Sequence, residues 1–267
     1  MVSSMTLNLQ KHKFSLGLAF FLGQSLFTSC AQTVTKDEVV SNSAIDKSRA
    51  SSLTQEPVKP AGDSRVVLLF VSDLHGRLLP DDENKGGWAR LAQYIRQEKQ
   101  NASQSTREKI DVVAILGGDT AGKGAGPCAA TQDKACFELL SLMGFDLSVV
   151  GNGELKRTAA ELNELVSLSK IPFLSQNFRQ KIGTSLVHSF LKFKGERSGA
   201  DLVFFGWSEP PTPGSWDSKK FGFDVRKSVS PTDIQSFRNV VKKNSVIWLT
   251  HQYWDEDKKF LESVCSV

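Results

Sequence analysis

The sequence predicts an α/β layered fold. Apolar runs recur at Val66–Val71, at Ile110–Leu116 with Asp111 its one polar residue, and at Val246–Leu249, the pattern of strands buried on both faces of a sheet. Segments with helical apolar spacing stand between them, and strands alternating with helices belong to layered α/β architectures. The 267 residues are 40% hydrophobic, 23% charged and 9% aromatic, which supplies a core and excludes a collagen, a disulfide knot, a coiled coil or a wholly disordered chain. Net charge is +4 with no dominant block of Lys and Arg, so no nucleic-acid partner is expected.

Residues 1–29 contain no Asp or Glu; Lys11 and Lys13 precede an apolar stretch from Phe14 to Phe27, and Thr28 and Ser29 lead into Cys30. This is the three-part layout of a secretory signal peptide. Small residues directly before a Cys resemble a bacterial lipoprotein signal, in which Cys30 becomes the lipid-bearing N-terminus; Phe27 stands where that motif usually has Leu. The alternatives are a plain signal peptide with an incidental Cys and an uncleaved membrane anchor, the latter disfavoured by a short stretch broken by Gly17 and Gly23. The expectation is an exported protein of the bacterial cell envelope, facing the periplasm or the cell surface and held to a membrane by its N-terminal lipid. Residues 30–64 then form a polar segment unable to bury enough surface to order itself. As a flexible tether it has an r.m.s. span of roughly 30 Å. The folded domain is expected over 65–267.

Within that domain, the strand at Val66–Val71 is followed by a helix over 87–100 with Trp88, Leu91, Tyr94 and Ile95 on one stripe. After the strand Ile110–Leu116, Cys128 and Cys136 lie eight apart in a polar loop. They either close a disulfide in an oxidising compartment or stay free, and the lack of a C-x-x-C pair argues against a zinc-thiolate site. Phe137, Leu139, Leu140 and Met143 mark a helix ending at Gly144. A short strand at Leu147–Val150 precedes a helix over 157–169 with Leu162, Leu165 and Val166 inward. Shorter strands are expected near 172–175, 186–194 and 201–206. A helix over 232–243, capped by Ser230 or Thr232 with Pro231 at its start, leads to the strand Val246–Leu249 and a last helix over 255–264.

Chemistry in such folds collects at the carboxyl ends of the strands. There the sequence reads Ser72-Asp73-Leu74-His75-Gly76, Gly117-Gly118-Asp119-Thr120, Gly151-Asn152-Gly153-Glu154 and Thr250-His251. Asp73, His75, Asp119, Asn152 and His251 are hard or borderline donors suited to Zn, Mn or Fe. A D-x-H-G run alone is usually a loop, and a G-D-T after a strand is often only a helix cap. Their order along successive strand ends is what gives them weight. His188 falls within an expected strand and reads as structural.

These stretches, with Gly86–Ile95, Met143–Glu154, Ile171–Phe178, Phe205–Pro211 and Leu249–Asp257, resemble the calcineurin-like metallophosphoesterases, in particular the branch of the 5'-nucleotidases and periplasmic UDP-sugar hydrolases. The resemblance covers nearly all of 65–267. It implies a four-layer α/β/β/α sandwich around two divalent transition-metal ions. Asp73 and His75 would hold one ion, Asn152 and His251 the other, and Asp119 would bridge both. The ions would activate water for in-line attack on a phosphate ester such as a nucleotide.

Two departures bear on activity. The family's G-N-H-E reads Gly151-Asn152-Gly153-Glu154, so Gly153 replaces the His that assists the leaving group. A later G-H-x-H strand end, which adds a ligand to each metal in the family, is not in the sequence, nor is the C-terminal nucleotidase domain. The sequence therefore supports a metal-dependent phosphoric ester hydrolase with impaired activity. The alternatives are a non-enzymatic lipoprotein that binds a metal or ligand, and a gene fragment of a nucleotidase.

Overall fold

The computed structural model describes residues 3–8, 18–20, 63–120, 126–211, 218–241 and 245–265. Cys30 and the expected tether up to residue 62 lie outside the described residues. In chain order the elements are β1 (Ser3–Asn8), β2 (Leu18–Phe20), β3 (Ser64–Val71), α1 (Trp88–Gln104), β4 (Lys109–Leu116), α2 (Pro127–Ala130), α3 (Lys134–Met143), β5 (Leu147–Val149), α4 (Ala159–Ser169), β6 (Phe173–Leu174), β7 (Phe178–Gln180), β8 (Val187–His188), β9 (Phe190–Lys194), β10 (Asp201–Ser208), α5 (Ser218–Phe221), β11 (Phe223–Val225), α6 (Pro231–Val241), β12 (Ser245–His251) and α7 (Trp254–Cys265).

The larger sheet has the order β1-β3-β4-β5-β6-β8 and the smaller one β2-β12-β10-β9; β11 and β7 form a separate pair. From β3 to β8 the larger sheet is parallel, and β10 runs parallel to β12. Ser3–Asn8 lie antiparallel to β3 and Leu18–Phe20 parallel to β12, each at a sheet edge. Both segments fall within the expected leader, and cleavage after Ser29 would leave β3 and β12 as edge strands. Among the described residues, no helix is long and apolar enough to cross a membrane.

Period-two alternation along each strand sorts the apolar side chains into separate cores. Val66, Leu68 and Phe70 of β3 face Leu202 and Phe204 of β10 and Ile247 and Leu249 of β12, so the two sheets share one cluster. Leu69 and Val71 turn the other way, onto Trp88 and Ile95 of α1, Phe137 and Leu140 of α3, and Leu162 and Leu165 of α4. The other face of the smaller sheet packs Phe205, Trp207 and Trp248 against Phe237 of α6. With both faces covered, β3 and β12 read as unbroken apolar runs.

Several local expectations change. Tyr94 is 39% exposed, and the buried stripe of α1 is Trp88, Ala92 and Ile95. One residue before Ile95 is 100° away around a helix, so Tyr94 faces outward. Cys128 and Cys136 lie in α2 and α3, both wholly buried and joined by a disulfide, not in a polar loop. The structural role expected for His188 does not hold, because its side chain is exposed on β8, the last strand of the sheet. Its backbone pairs in the sheet, the carbonyl accepting from the Ser175 N–H at 2.8 Å.

Ser230 is the cap of α6. Its hydroxyl accepts from Asp233 N–H at 3.1 Å, and the Asp233 carboxylate accepts from Ser230 N–H at 2.8 Å, a reciprocal capping box. Burial alone would raise the Asp233 carboxyl, but hydrogen bonds from Arg226 and Ser230 outweigh it and hold the group down at about 2.

Candidate metal centre

The parallel pairing of β3 and β4 continues past the strand ends into the loops. Asp73 N–H donates to Gly118 O at 3.1 Å, His75 N–H to Asp119 O at 2.9 Å and Gly76 N–H to Thr120 O at 2.9 Å. These bonds fix Asp73, His75 and Asp119 at φ +59, +46 and +52, the left-handed region that Asp and His tolerate better than most residues. Non-glycine residues there cost about 1–3 kcal/mol each and collect at functional sites. The reward is convergence of three chemically active side chains on one point.

Glycine lets the other strand ends close on that point. Gly118 has φ +98, and a Cβ there would stand 2.7 Å from His251 Nδ1 and 2.9 Å from Gly151 Cα. A Cβ on Gly151 would lie 2.3 Å from Asp119 N. All three distances are below van der Waals contact, so neither position accepts a side chain without displacing a loop.

The Asp119 carboxylate lies between two imidazoles. Its Oδ2 is 3.7 Å from His75 Nε2 and its Oδ1 is 3.5 Å from His251 Nε2. Asp73 Oδ1 stands 3.4 Å from the same His75 nitrogen. The ligand atoms of Asp73, His75 and Asp119 all fall within 4.8 Å of one another. These separations exceed hydrogen-bond length. They match two donors held at about 2.1 Å from one shared cation, which stand roughly 3.4 Å apart at a tetrahedral angle. His251 Nδ1 lies 2.7 Å from Gly117 O. A carbonyl only accepts, so the proton sits on Nδ1 and the lone pair of Nε2 is turned toward Asp119. The Asp119 side chain is 7% exposed and that of Asp73 is 55% exposed, so the cluster opens to solvent on the Asp73 side. The residues fit a divalent cation.

Glu154, which the sequence reading left without a role, organises this cluster. Its buried carboxylate accepts from Gly151 N–H at 2.8 Å, Asp119 N–H at 3.0 Å and Thr120 N–H at 2.8 Å. Burial pushes its pKa up, and the nearby Asp119 charge adds to the rise. Gly153 N–H in turn donates to Asp119 Oδ1 at 2.6 Å. On the opposite side, buried Asp257 of α7 accepts from Thr250 and Gln252, at 2.8 and 2.6 Å, bracketing His251; burial raises its carboxyl to about 6. Asn152 turns its amide toward Glu209, with Nδ2 donating to Oε2 at 3.0 Å. The structure thus gathers Asp73, His75, Asp119 and His251 closely, while Asn152 pairs with Glu209, a residue the sequence reading passed over. Glu209 directly follows β10, so the rule of strand carboxyl ends applies to it as well.

Among solved structures the chain is similar to the Thermus thermophilus sulfate thiohydrolase SoxB, at 18% identity and TM-score 0.60, over 74% of this chain and 46% of that one. It is similar to the 5'-nucleotidase of Candida albicans, at 15% identity and TM-score 0.59, over 74% of this chain and 40% of that one. It is also similar to the calcineurin-like phosphoesterase YfkN of Bacillus subtilis, at 19% identity and TM-score 0.51, over 69% of this chain and 61% of that one. The fold is that of the calcineurin-like phosphoesterases. No protein-family model and no curated protein sequence matches the chain. The chain spans less than two thirds of the length of each of these structures.

The dependence on Glu154 is testable. Glu154→Ala leaves three backbone N–H groups without their acceptor and is expected to lower unfolding free energy by about 3 kcal/mol or more in urea denaturation. A loss below about 0.5 kcal/mol, the range of ordinary surface changes, would remove Glu154 from this account.

Proposed function

We propose that the protein is a metal-dependent phosphoesterase acting on phosphate esters of the nucleotide kind through a two-metal centre, with activity reduced by Gly153. The observation that carries this reading is the Asp119 carboxylate, with one oxygen facing His75 and the other facing His251. Asp73, His75 and Asp119 would hold one divalent transition-metal ion, and Asp119, Asn152 and His251 the other. Zn, Mn and Fe all suit these donors. Such ions, when bound, polarise a phosphoryl oxygen and lower the pKa of water to about 7.

The chain's own residues then have defined tasks. Asp119 spans the two positions, and its Oδ1 is pinned by Gly153 N–H. His251 is locked in one tautomer by the Gly117 carbonyl. Gly153 offers a backbone N–H but no side chain to protonate a departing alkoxide. General acid help is worth roughly 10²–10⁴ in rate, so esters with good leaving groups are the better substrates. Gly153 has φ −65 and ψ −44, a conformation open to any L residue, so a histidine fits the backbone there.

The experiment is a Mn²⁺-supplemented assay of the wild type and Gly153→His on an aryl phosphate and on a nucleotide, with Asp119→Ala as the blank. The expected result is activity above the blank, greater on the aryl ester, with Gly153→His raising nucleotide turnover by about 10²-fold. If neither protein exceeds the blank on either ester, the enzymatic reading fails. The absent imidazole at 153 favours the second reading, a non-enzymatic metal- or ligand-binding protein, and that result would leave it standing.

We also propose export and anchoring through a lipid on Cys30. The leader layout supports it, as does the Cys128–Cys136 disulfide, since disulfides persist in oxidising compartments. Cys30→Ser should move the protein from the detergent phase to the aqueous phase in a partition assay. Unchanged partitioning would reject the lipid.

A further inference from the structure

We infer that Glu209 is a positioning residue that aims the Asn152 amide at the second cation position. This rests on the two-metal reading and deepens it. An amide has two unlike ends: its oxygen can ligate a cation and its NH₂ group cannot. Nothing in the sequence of Asn152 itself selects the end that faces the centre. Glu209 does so, because its carboxylate offers only acceptor oxygens and takes the Nδ2 end at 3.0 Å. The Oδ1 end is thereby left for the cation. Partners that orient a ligand in this way typically change metal affinity by about 10–100-fold when removed.

The placement of Glu209 is itself fixed by the fold. In the parallel register of β10 and β12, Ser208 lies opposite His251. The pairing extends one residue further, with Glu209 N–H donating to His251 O at 2.7 Å. The Ser208 hydroxyl donates to Val150 O at 2.6 Å, tying the end of β10 to the residue just before the Gly151–Asn152 loop. Pro210 follows Glu209 and restricts it to extended backbone. The strand pair that presents His251 therefore also presents the carboxylate that orients Asn152. The Glu209 carboxylate meets the Asn152 amide through Oε2, so it acts through Asn152.

The test is Mn²⁺ binding to the full chain, read by calorimetric titration with metal content per chain from elemental analysis. Glu209→Ala should weaken the weaker of two Mn²⁺ sites by about 10–100-fold and leave the tighter one unchanged. In an Asn152→Ala background the same substitution should have no further effect. Asn152→Asp should rescue Glu209→Ala, because a carboxylate ligates through either oxygen and needs no orienting partner. Glu209→Gln, which keeps the shape and one acceptor oxygen, should weaken the site less than Glu209→Ala and guards against loss of folding in the latter. Wild-type affinity in Glu209→Ala, an equal loss with and without Asn152, or failure of Asn152→Asp to rescue would overturn the inference while leaving the metal centre in place. A wild type that binds no Mn²⁺ would instead overturn the two-metal reading, and this inference with it.

Discussion

The whole candidate centre depends on backbone hydrogen bonding between loops that have already left the sheet. The Asp73–Gly76 segment zips onto Gly118–Thr120 by three main-chain bonds, and the Glu154 carboxylate gathers the N–H groups of Gly151, Asp119 and Thr120. These contacts hold three non-glycine residues in left-handed backbone, a conformation the loops would not keep unaided. Removing the constraint would relax the loops and scatter the side chains. Burying Glu154 has its own cost, visible in its raised pKa, and the fully satisfied carboxylate offsets that cost.

This constraint explains why the arrangement sits where it does. Parallel strands β3, β4 and β5 all end on one edge of the larger sheet, and β10 and β12 end together in the smaller one. The two sheets share an apolar cluster, so their carboxyl ends meet. Gly118 and Gly151 remove the side chains that would keep the ends apart. The Asp119 carboxylate stands between two imidazoles, beyond hydrogen-bond distance of both, while its Oδ1 accepts from Gly153 N–H. A shared cation answers that geometry.

Much of this was legible in the sequence. The buried strands stood out because their apolar runs are nearly unbroken, and the strand-end rule found Asp73, His75, Asp119 and His251. What it could not supply was the role of residues acting through main-chain atoms. Glu154 had no assigned role because its partners are N–H groups, which carry no sequence signature. Glu209 was hidden because the strand was expected to end at 206, whereas β10 runs on to Ser208 and places Glu209 at its carboxyl end. Tyr94 was misplaced by one position on its helix because periodicity fixes a stripe more securely than its edge. The cysteine pair looked like a loop because Pro127 and Gly126 are turn residues as well as helix starters.

The central claim is that Asp119 joins two metal positions. Electron paramagnetic resonance of the full chain loaded with two equivalents of Mn²⁺ tests it most directly, because a bridging carboxylate couples the two spins. A spin-coupled signal from paired ions, lost in Asp119→Ala, is expected. A six-line signal from isolated ions, growing in proportion to the metal added and indifferent to Asp119, would contradict it.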